Sequence, residues 1–191
     1  MTKDRLLAFS DGVLAIVITI MVLEIKVPHG SAWTDLTPLF PIFLSYVLSF
    51  IYVAIYWNNH HHLMHAVQKV NGKILWANMF LLFWLSLVPF VSGWMGENGF
   101  AEIPVAFYGG VLLMCALAYA ILEYQLIAQH GQESIIARAI SKDWKEKASL
   151  IMYLGGIACA FVHTAISLAL YAGVALVWLV PDKRFERALK N

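Results

Sequence analysis

Five long apolar runs dominate this sequence of 191 residues. A helix needs about 20 mostly apolar residues to cross a lipid bilayer, and each run is long enough. Hydrophobic residues make up 61% of the chain and charged residues 13%, whereas a soluble domain is about 45–50% apolar and roughly 25% charged. A chain this short cannot bury so much apolar surface in water, so the sequence predicts a membrane protein. The net charge of +1 gives no indication of a nucleic-acid partner.

The runs predict an all-α fold with six transmembrane helices in one domain, residues 1–191. Pro89 lies inside the third run and should kink or end that helix, because proline has no backbone N–H to donate. The last run would be about 50 Å long as one helix, against a hydrocarbon core of about 30 Å. It is therefore expected to form two short helices with a turn near His163 and Thr164. The runs cover residues 6–25, 38–57, 74–94, 104–126 and 148–180.

The basic residues indicate how these helices are oriented. Lys and Arg in short loops favour the cytoplasmic side of a membrane. With a cytoplasmic N-terminus, every Lys and Arg of the chain except Lys26 falls on that side. The pattern predicts a multi-pass protein of the cell membrane with both termini in the cytoplasm. A single crossing by residues 148–180 would place the cationic tail outside, which the charge rule disfavours.

The first predicted helix carries a polar motif, Arg5, Phe9, Ser10 and Asp11, next to a long apolar stretch. Ionisable residues inside a span are costly and usually face the interior of a helix bundle or water. Arg5 and Asp11 are six positions apart, so they do not lie on one helix face, and each needs a partner on another helix. A simpler interpretation is that Asp11 caps or anchors the cytoplasmic end of the helix.

The pattern R-x-x-x-F-S-D resembles the signature of the transmembrane protein 175 family, which are potassium-permeable channels of animal lysosomes and of bacterial cell membranes. Animal members carry two six-helix repeats, so one motif and six spans resemble a prokaryotic member and imply a homotetramer. In the family, the first helix lines the pore, a ring of large aliphatic residues forms its narrowest part, and a threonine ring lies one turn away. Carried over to this chain, the resemblance implies a constriction at Ile16, a polar ring at Thr19 and further apolar layers at Ile20 and Leu23.

The spacing of these residues agrees with one helix face. Gly12, Ile16, Thr19 or Ile20, and Leu23 recur at intervals of three or four residues. Without the motif, such an aliphatic stripe is more often lipid-facing or part of a core. The chain contains no T-V-G-Y-G segment that could form a carbonyl filter, so selectivity is expected from side chains, pore width and dewetting. The permeant ion is expected to be K⁺, with no cofactor.

Four histidines cluster at the end of the second predicted helix: His60, His61, His62 and His65. His61 and His65 have the i, i+4 spacing of metal ligands, but no acidic or cysteine ligand accompanies them, so no metal site is predicted. One possible role of these histidines is a pH-sensitive ring near the inner mouth of the pore. Another is a polar network at the depth of Ser10 and Asp11. Besides His60, His61 and His65, that network would include Trp76 and Asn78 of the third helix.

The predicted function is a potassium-selective leak channel and not an enzyme, since the sequence has no nucleophile–base pair and no cofactor motif. The main alternative is a secondary transporter or proton-coupled carrier that uses Asp11, Glu123 and the cluster from His60 to His65. A haem protein with two histidine ligands and a structural membrane scaffold are further alternatives. Ion flux separates the channel from the carrier and the scaffold, and an absorption spectrum tests for haem.

Overall fold

The computed structural model describes residues 2–131, 134, 137 and 144–179. These residues form helices and connecting segments and contain no strand, which confirms the all-α class. Short 3-10 segments, Val22–Glu24 and Trp33–Leu39, extend the first helix and precede the second. The described α-helices are α1 Lys3–Met21, α2 Phe40–His65, α3 Gly72–Ser86, α4 Val88–Glu97, α5 Glu102–His130, α6 Trp144–Cys159 and α7 Thr164–Leu179.

Four segments are long and apolar enough to cross a membrane, and they coincide with the first four predicted spans. The third of them consists of α3 and α4 in succession. Pro89 lies in the first turn of α4, directly after the break between the two helices, as predicted from its missing N–H. The four segments are Lys3–Glu24, Trp33–His65, Gly72–Glu97 and Glu102–His130.

The fifth apolar run forms α6 and α7, which are joined by a turn through residues 160–163, at the predicted place. The two helices are antiparallel: the indole N–H of Trp178 donates to Ser149 Oγ at 2.9 Å, and the ring of Tyr171 packs on Gly156. Each has 16 described residues, which correspond to about 24 Å of helix. Six crossings and the sidedness of the termini stay predictions, and the tail, residues 180–191, lies outside the described residues.

The glycines of the hairpin and of α5 allow one tyrosine to lie deep between three helices. A Cβ atom on Gly109 of α5 or on Gly156 of α6 would overlap the ring of Tyr171 on α7. Tyr171 is fully buried, and its hydroxyl reaches the carbonyl of Val105 at 3.3 Å. The hairpin is thus packed against α5 through a contact that only glycine permits at both positions.

Helix α1 packs against α2, α3 and α4, whereas α5 packs against α3, α4 and the hairpin. The buried side chains of α1 recur every three or four residues and face its neighbours. They are Leu6, Ser10, Leu14, Val17 and Met21. The opposite side of α1 is largely exposed within the described part of the chain. This arrangement determines where the candidate site lies.

Candidate pore face and helix anchor

The exposed side of α1 carries the residues that the family resemblance assigns to a pore. The side chain of Ile16 is 58% exposed, and Leu23, in the 3-10 extension, is 74% exposed. Exposed aliphatic side chains in a membrane helix must meet lipid, another chain or a pore. The exposed residues on this side include Phe9, Gly12, Ile16, Thr19, Ile20 and Leu23.

Thr19 presents an oxygen on this otherwise apolar face. Its hydroxyl lies 3.0 Å from the carbonyls of both Ala15 and Ile16, in the preceding turn of the same helix. A hydroxyl has one proton and two lone pairs. Since the proton is directed at the helix backbone, the lone pairs of Thr19 Oγ1 remain available to a cation or to water on the exposed side.

On the buried side, a chain of hydrogen bonds fixes α1 to two other helices. Ser10 Oγ donates to the carbonyl of Leu6 at 2.9 Å and accepts from Asn78 Nδ2 of α3 at 2.9 Å. Asn78 Oδ1 lies 2.7 Å from His60 Nε2 of α2. Because an amide oxygen only accepts, His60 Nε2 carries the proton. All three side chains are buried, and His60 Nδ1 has no partner among the described residues.

Asp11 has a different partner, Trp57 of α2, whose indole N–H donates to Asp11 Oδ1 at 3.0 Å. The sequence predicts Trp57 at the end of the span 38–57 and does not indicate a pairing with Asp11. The available signal was depth alone, since both residues lie near the cytoplasmic ends of the predicted spans 6–25 and 38–57. Arg5 is exposed and makes no hydrogen bond or ion pair with a described residue.

Three residues assigned to the polar network lie elsewhere. Trp76 is 77% exposed, because it precedes Asn78 by two positions and so points about 200° away around α3. His61 and His65 follow the exposed side of α2, where their rings stack at 6.1 Å between centroids. Among the described residues, no group of three or more His, Cys, Asp or Glu side chains is placed to hold a metal ion.

The groups of the alternative carrier do not share one site in the described part of the chain. Glu123 is buried on α5 and lines a cavity of about 80 Å³ among α2, α5, α6 and α7. Neither Asp11 nor a histidine lines that cavity among the described residues. Its walls include the rings of Tyr52, Tyr119 and Tyr153.

Two further charged residues, Glu24 and Lys26, lie at the other end of α1. Lys26, just past the 3-10 extension, forms an ion pair with Glu97 at the end of α4, with Nζ 2.8 Å from Oε1. The hydrogen bond to Glu97 and the attraction of its carboxylate raise the pKa of Lys26. Glu24 lies against Gly93 of α4 and lines a groove of about 440 Å³ that also includes Ile16 and Ile20.

Comparison with known proteins gives a consistent result. The model of the family described as endosomal/lysosomal potassium channel TMEM175 matches residues 5–89, which contain the motif of α1 and its partners on α2 and α3. A potassium channel of Chryseobacterium sp. (strain P1-3) is 58% identical over the whole of both chains. A potassium channel of Chamaesiphon minutus is 32% identical and is aligned over 85% of this chain and 86% of its own.

More distant relatives and a solved structure extend the comparison. The mouse endosomal/lysosomal proton channel TMEM175 is 24% identical over 87% of this chain, which spans 35% of the mouse protein. The crystal structure of a Chamaesiphon minutus homologue of the lysosomal potassium-selective channel TMEM175 superposes with a TM-score of 0.81. The two sequences are 26% identical, and the match covers 94% of this chain and 97% of the Chamaesiphon chain. The shared fold, the matched motif and the whole-length similarity show that this chain is a membrane protein of the TMEM175 ion-channel family.

Proposed function

We propose that the chain is one subunit of a homotetrameric, potassium-selective leak channel whose pore is lined by α1. One observation carries the proposal: α1 is packed and hydrogen-bonded on one side, whereas the side with Ile16, Thr19, Ile20 and Leu23 is exposed in the described part of the chain. The two bacterial relatives are named as potassium channels, which supports the choice of ion.

A single copy of α1 cannot enclose an ion pathway, so the proposal requires several copies around one axis. Membrane and soluble homo-oligomers commonly close by rotational symmetry, which brings the same helix of each subunit to the centre. The family resemblance favours four copies. In this arrangement the bundle crosses the cell membrane six times, and both termini and the segment between α5 and α6 are cytoplasmic, as the distribution of Lys and Arg favours.

The residues of the exposed face suggest how ions pass. A ring of Ile16 side chains forms a narrow apolar layer, which dewets easily and lets an ion through only when it sheds part of its water. A ring of Thr19 hydroxyl oxygens one turn away replaces some of the lost water through free lone pairs. A potassium ion holds its water less tightly than a sodium ion, so the same barrier is lower for K⁺.

Ion flux from liposomes that contain the purified protein tests the proposal. We expect K⁺ flux to exceed Na⁺ flux, to need no coupled ion, and to exceed the rates of carrier turnover. Cs⁺ flux in the same vesicles probes the width of the apolar layer. Flux that saturates at carrier rates, or that requires a proton gradient, would contradict the channel and favour a carrier.

A further inference from the structure

An amphipathic groove of about 800 Å³ lies between the first half of α3 and the last half of α5, outside the proposed pore face. Its polar end is formed by Asn71, Lys73 and Gln129, where α3 begins and α5 ends. Phe80 lies about 12 Å further along α3, and Ile121 lies at a similar depth on α5. The groove is thus polar near the end of the two helices and apolar deeper in the membrane. A phospholipid has the same order, with a polar headgroup followed by apolar acyl chains.

The polar end of the groove is positively charged. Lys73 lines it, is exposed, and makes no ion pair with a described residue. Lys69, two positions before Asn71, is also exposed and equally unpaired within the described residues. No Asp or Glu is found among the described residues that line the groove. An anionic group is therefore favoured at this end.

Hydrogen bonds hold this end of the groove in a fixed shape. Asn71 Nδ2 donates to Gln129 Oε1 at 2.5 Å, and Asn71 Oδ1 accepts from the backbone N–H of Ile74 at 2.9 Å. The loop before α3 is fixed to α5 by His130, whose Nε2 accepts from the backbone N–H groups of Gln68 and Lys69 at 3.2 and 3.3 Å. A preformed site loses less conformational entropy when its ligand binds.

We propose that this groove binds one anionic phospholipid in the leaflet next to the motif of α1. The lipid phosphate lies at Lys73, and an acyl chain runs along Trp76, Phe80 and Ile121. Tryptophan is enriched at the level of lipid headgroups, and basic pockets between transmembrane helices bind anionic headgroups. The proposal rests on the membrane placement given under Proposed function and is independent of ion selectivity.

Native mass spectrometry of the full-length protein, loaded with equal amounts of phosphatidylglycerol and phosphatidylcholine, tests the headgroup. We expect wild type to retain phosphatidylglycerol preferentially and Lys73→Gln to lower that preference about fivefold, the contribution of one basic residue near a membrane surface. Lys147→Gln is the matched control, because Lys147 is an exposed lysine of α6 that does not line the groove. Equal preference in all three proteins would overturn the proposal.

Fluorescence quenching by brominated lipids tests the acyl chain. Brominated phosphatidylglycerol should quench wild type more than brominated phosphatidylcholine does, and Trp76→Phe should remove this difference. If no difference exists in wild type, no acyl chain of an anionic lipid lies beside Trp76, and the proposal fails. Retention of free glycerol phosphate as strong as that of the lipid would also overturn it, since the groove would then bind the phosphate alone.

A second copy of the chain is the other candidate to cover the groove, and cysteine labelling distinguishes it from a lipid. If a neighbouring subunit covers the groove, a cysteine introduced by Gln125→Cys stays unreactive toward a maleimide in the lipid-free assembly, and no headgroup preference is seen. Either result would overturn the lipid site. Ion flux measured on the same preparations keeps the two proposals separate, because a preference for phosphatidylglycerol without K⁺ flux contradicts the channel alone.

Discussion

Asn78 connects three helices because its amide group donates and accepts at the same time. It donates to Ser10 on α1 and accepts from His60 on α2. A buried polar group that loses its partner costs about 1–3 kcal/mol. At the scale of single residues, this amide therefore has more influence on the position of α1 than the exposed charge of Arg5.

Asn78→Ala should destabilise the protein by about 2 kcal/mol, because it leaves the buried His60 Nε2 without an acceptor and removes the donor to Ser10, which keeps only its bond to Leu6. Thermal unfolding followed by tryptophan fluorescence measures the loss. Asn58→Ala is a suitable control, since Asn58 is half-buried on α2 and forms no side-chain hydrogen bond with a described residue. Equal stability of the two variants would show that the hydrogen bonds do not hold α1.

Ile16→Asn should raise total ion flux and weaken the preference for K⁺, because an amide ring holds water in the layer that an isoleucine ring dewets. Flux from liposomes with K⁺ or Na⁺ gradients measures both effects. Ile151→Asn, on α6, is the control for placing an amide at an exposed aliphatic position. If Ile16→Asn behaves like wild type in rate and ion ratio, α1 does not line the pore.

Thr19→Val should change the ratio of K⁺ to Na⁺ flux more than it changes the rate through the constriction. The substitution removes the hydroxyl oxygens but keeps the side-chain volume nearly constant. Thr19→Ser keeps the oxygen and should retain most of the selectivity. The same liposome assay reports the ratio, and an unchanged ratio in Thr19→Val would remove Thr19 from the ion pathway.

At the scale of elements, the packing of the α6–α7 hairpin depends on Gly156, which faces α7, and not on the adjacent Gly155. Gly156→Ala would force its Cβ into the ring of Tyr171, whereas Gly155→Ala meets only Leu170 Cδ1, at 3.8 Å. Overpacking of a well-packed contact costs about 1–3 kcal/mol. We expect a clear loss of thermal stability for Gly156→Ala and almost none for Gly155→Ala; equal effects would contradict this packing.

Much of the element structure was predictable from the sequence, whereas contacts between elements were not. Run lengths predict four of the helices, Pro89 predicts the break after α3, and the length of the last run predicts the hairpin. The partner of Asp11 depends on how α2 is rotated against α1, which no periodicity within one helix determines. Trp76 was assigned by depth alone, and its two-residue offset from Asn78 places it on the other side of α3.

At the scale of the whole molecule, the charge distribution predicts the orientation. A cysteine introduced by Asn191→Cys should be inaccessible to a membrane-impermeant maleimide in intact cells, while Ser31→Cys, in the segment after α1, should react. Cys159→Ser removes the half-buried native thiol, and Cys115 is buried. Labelling of the tail but not of position 31 would reverse the orientation and move Lys73 to the outer leaflet.

The short apolar stretches of the α6–α7 hairpin have a consequence for the surrounding bilayer. Residues 148–159 and 164–179 give about 18 and 24 Å of apolar helix, less than the hydrocarbon core of an average membrane, so the lipids beside them must thin or the flanking residues must extend toward the headgroups. The longer helices α2 and α5 match or exceed that thickness. A shortage of apolar length is thus a property of the hairpin, whereas the longer helices can tilt. Bilayers of shorter acyl chains should favour the hairpin, and thermal stability of the protein should rise as the chains are shortened toward that match.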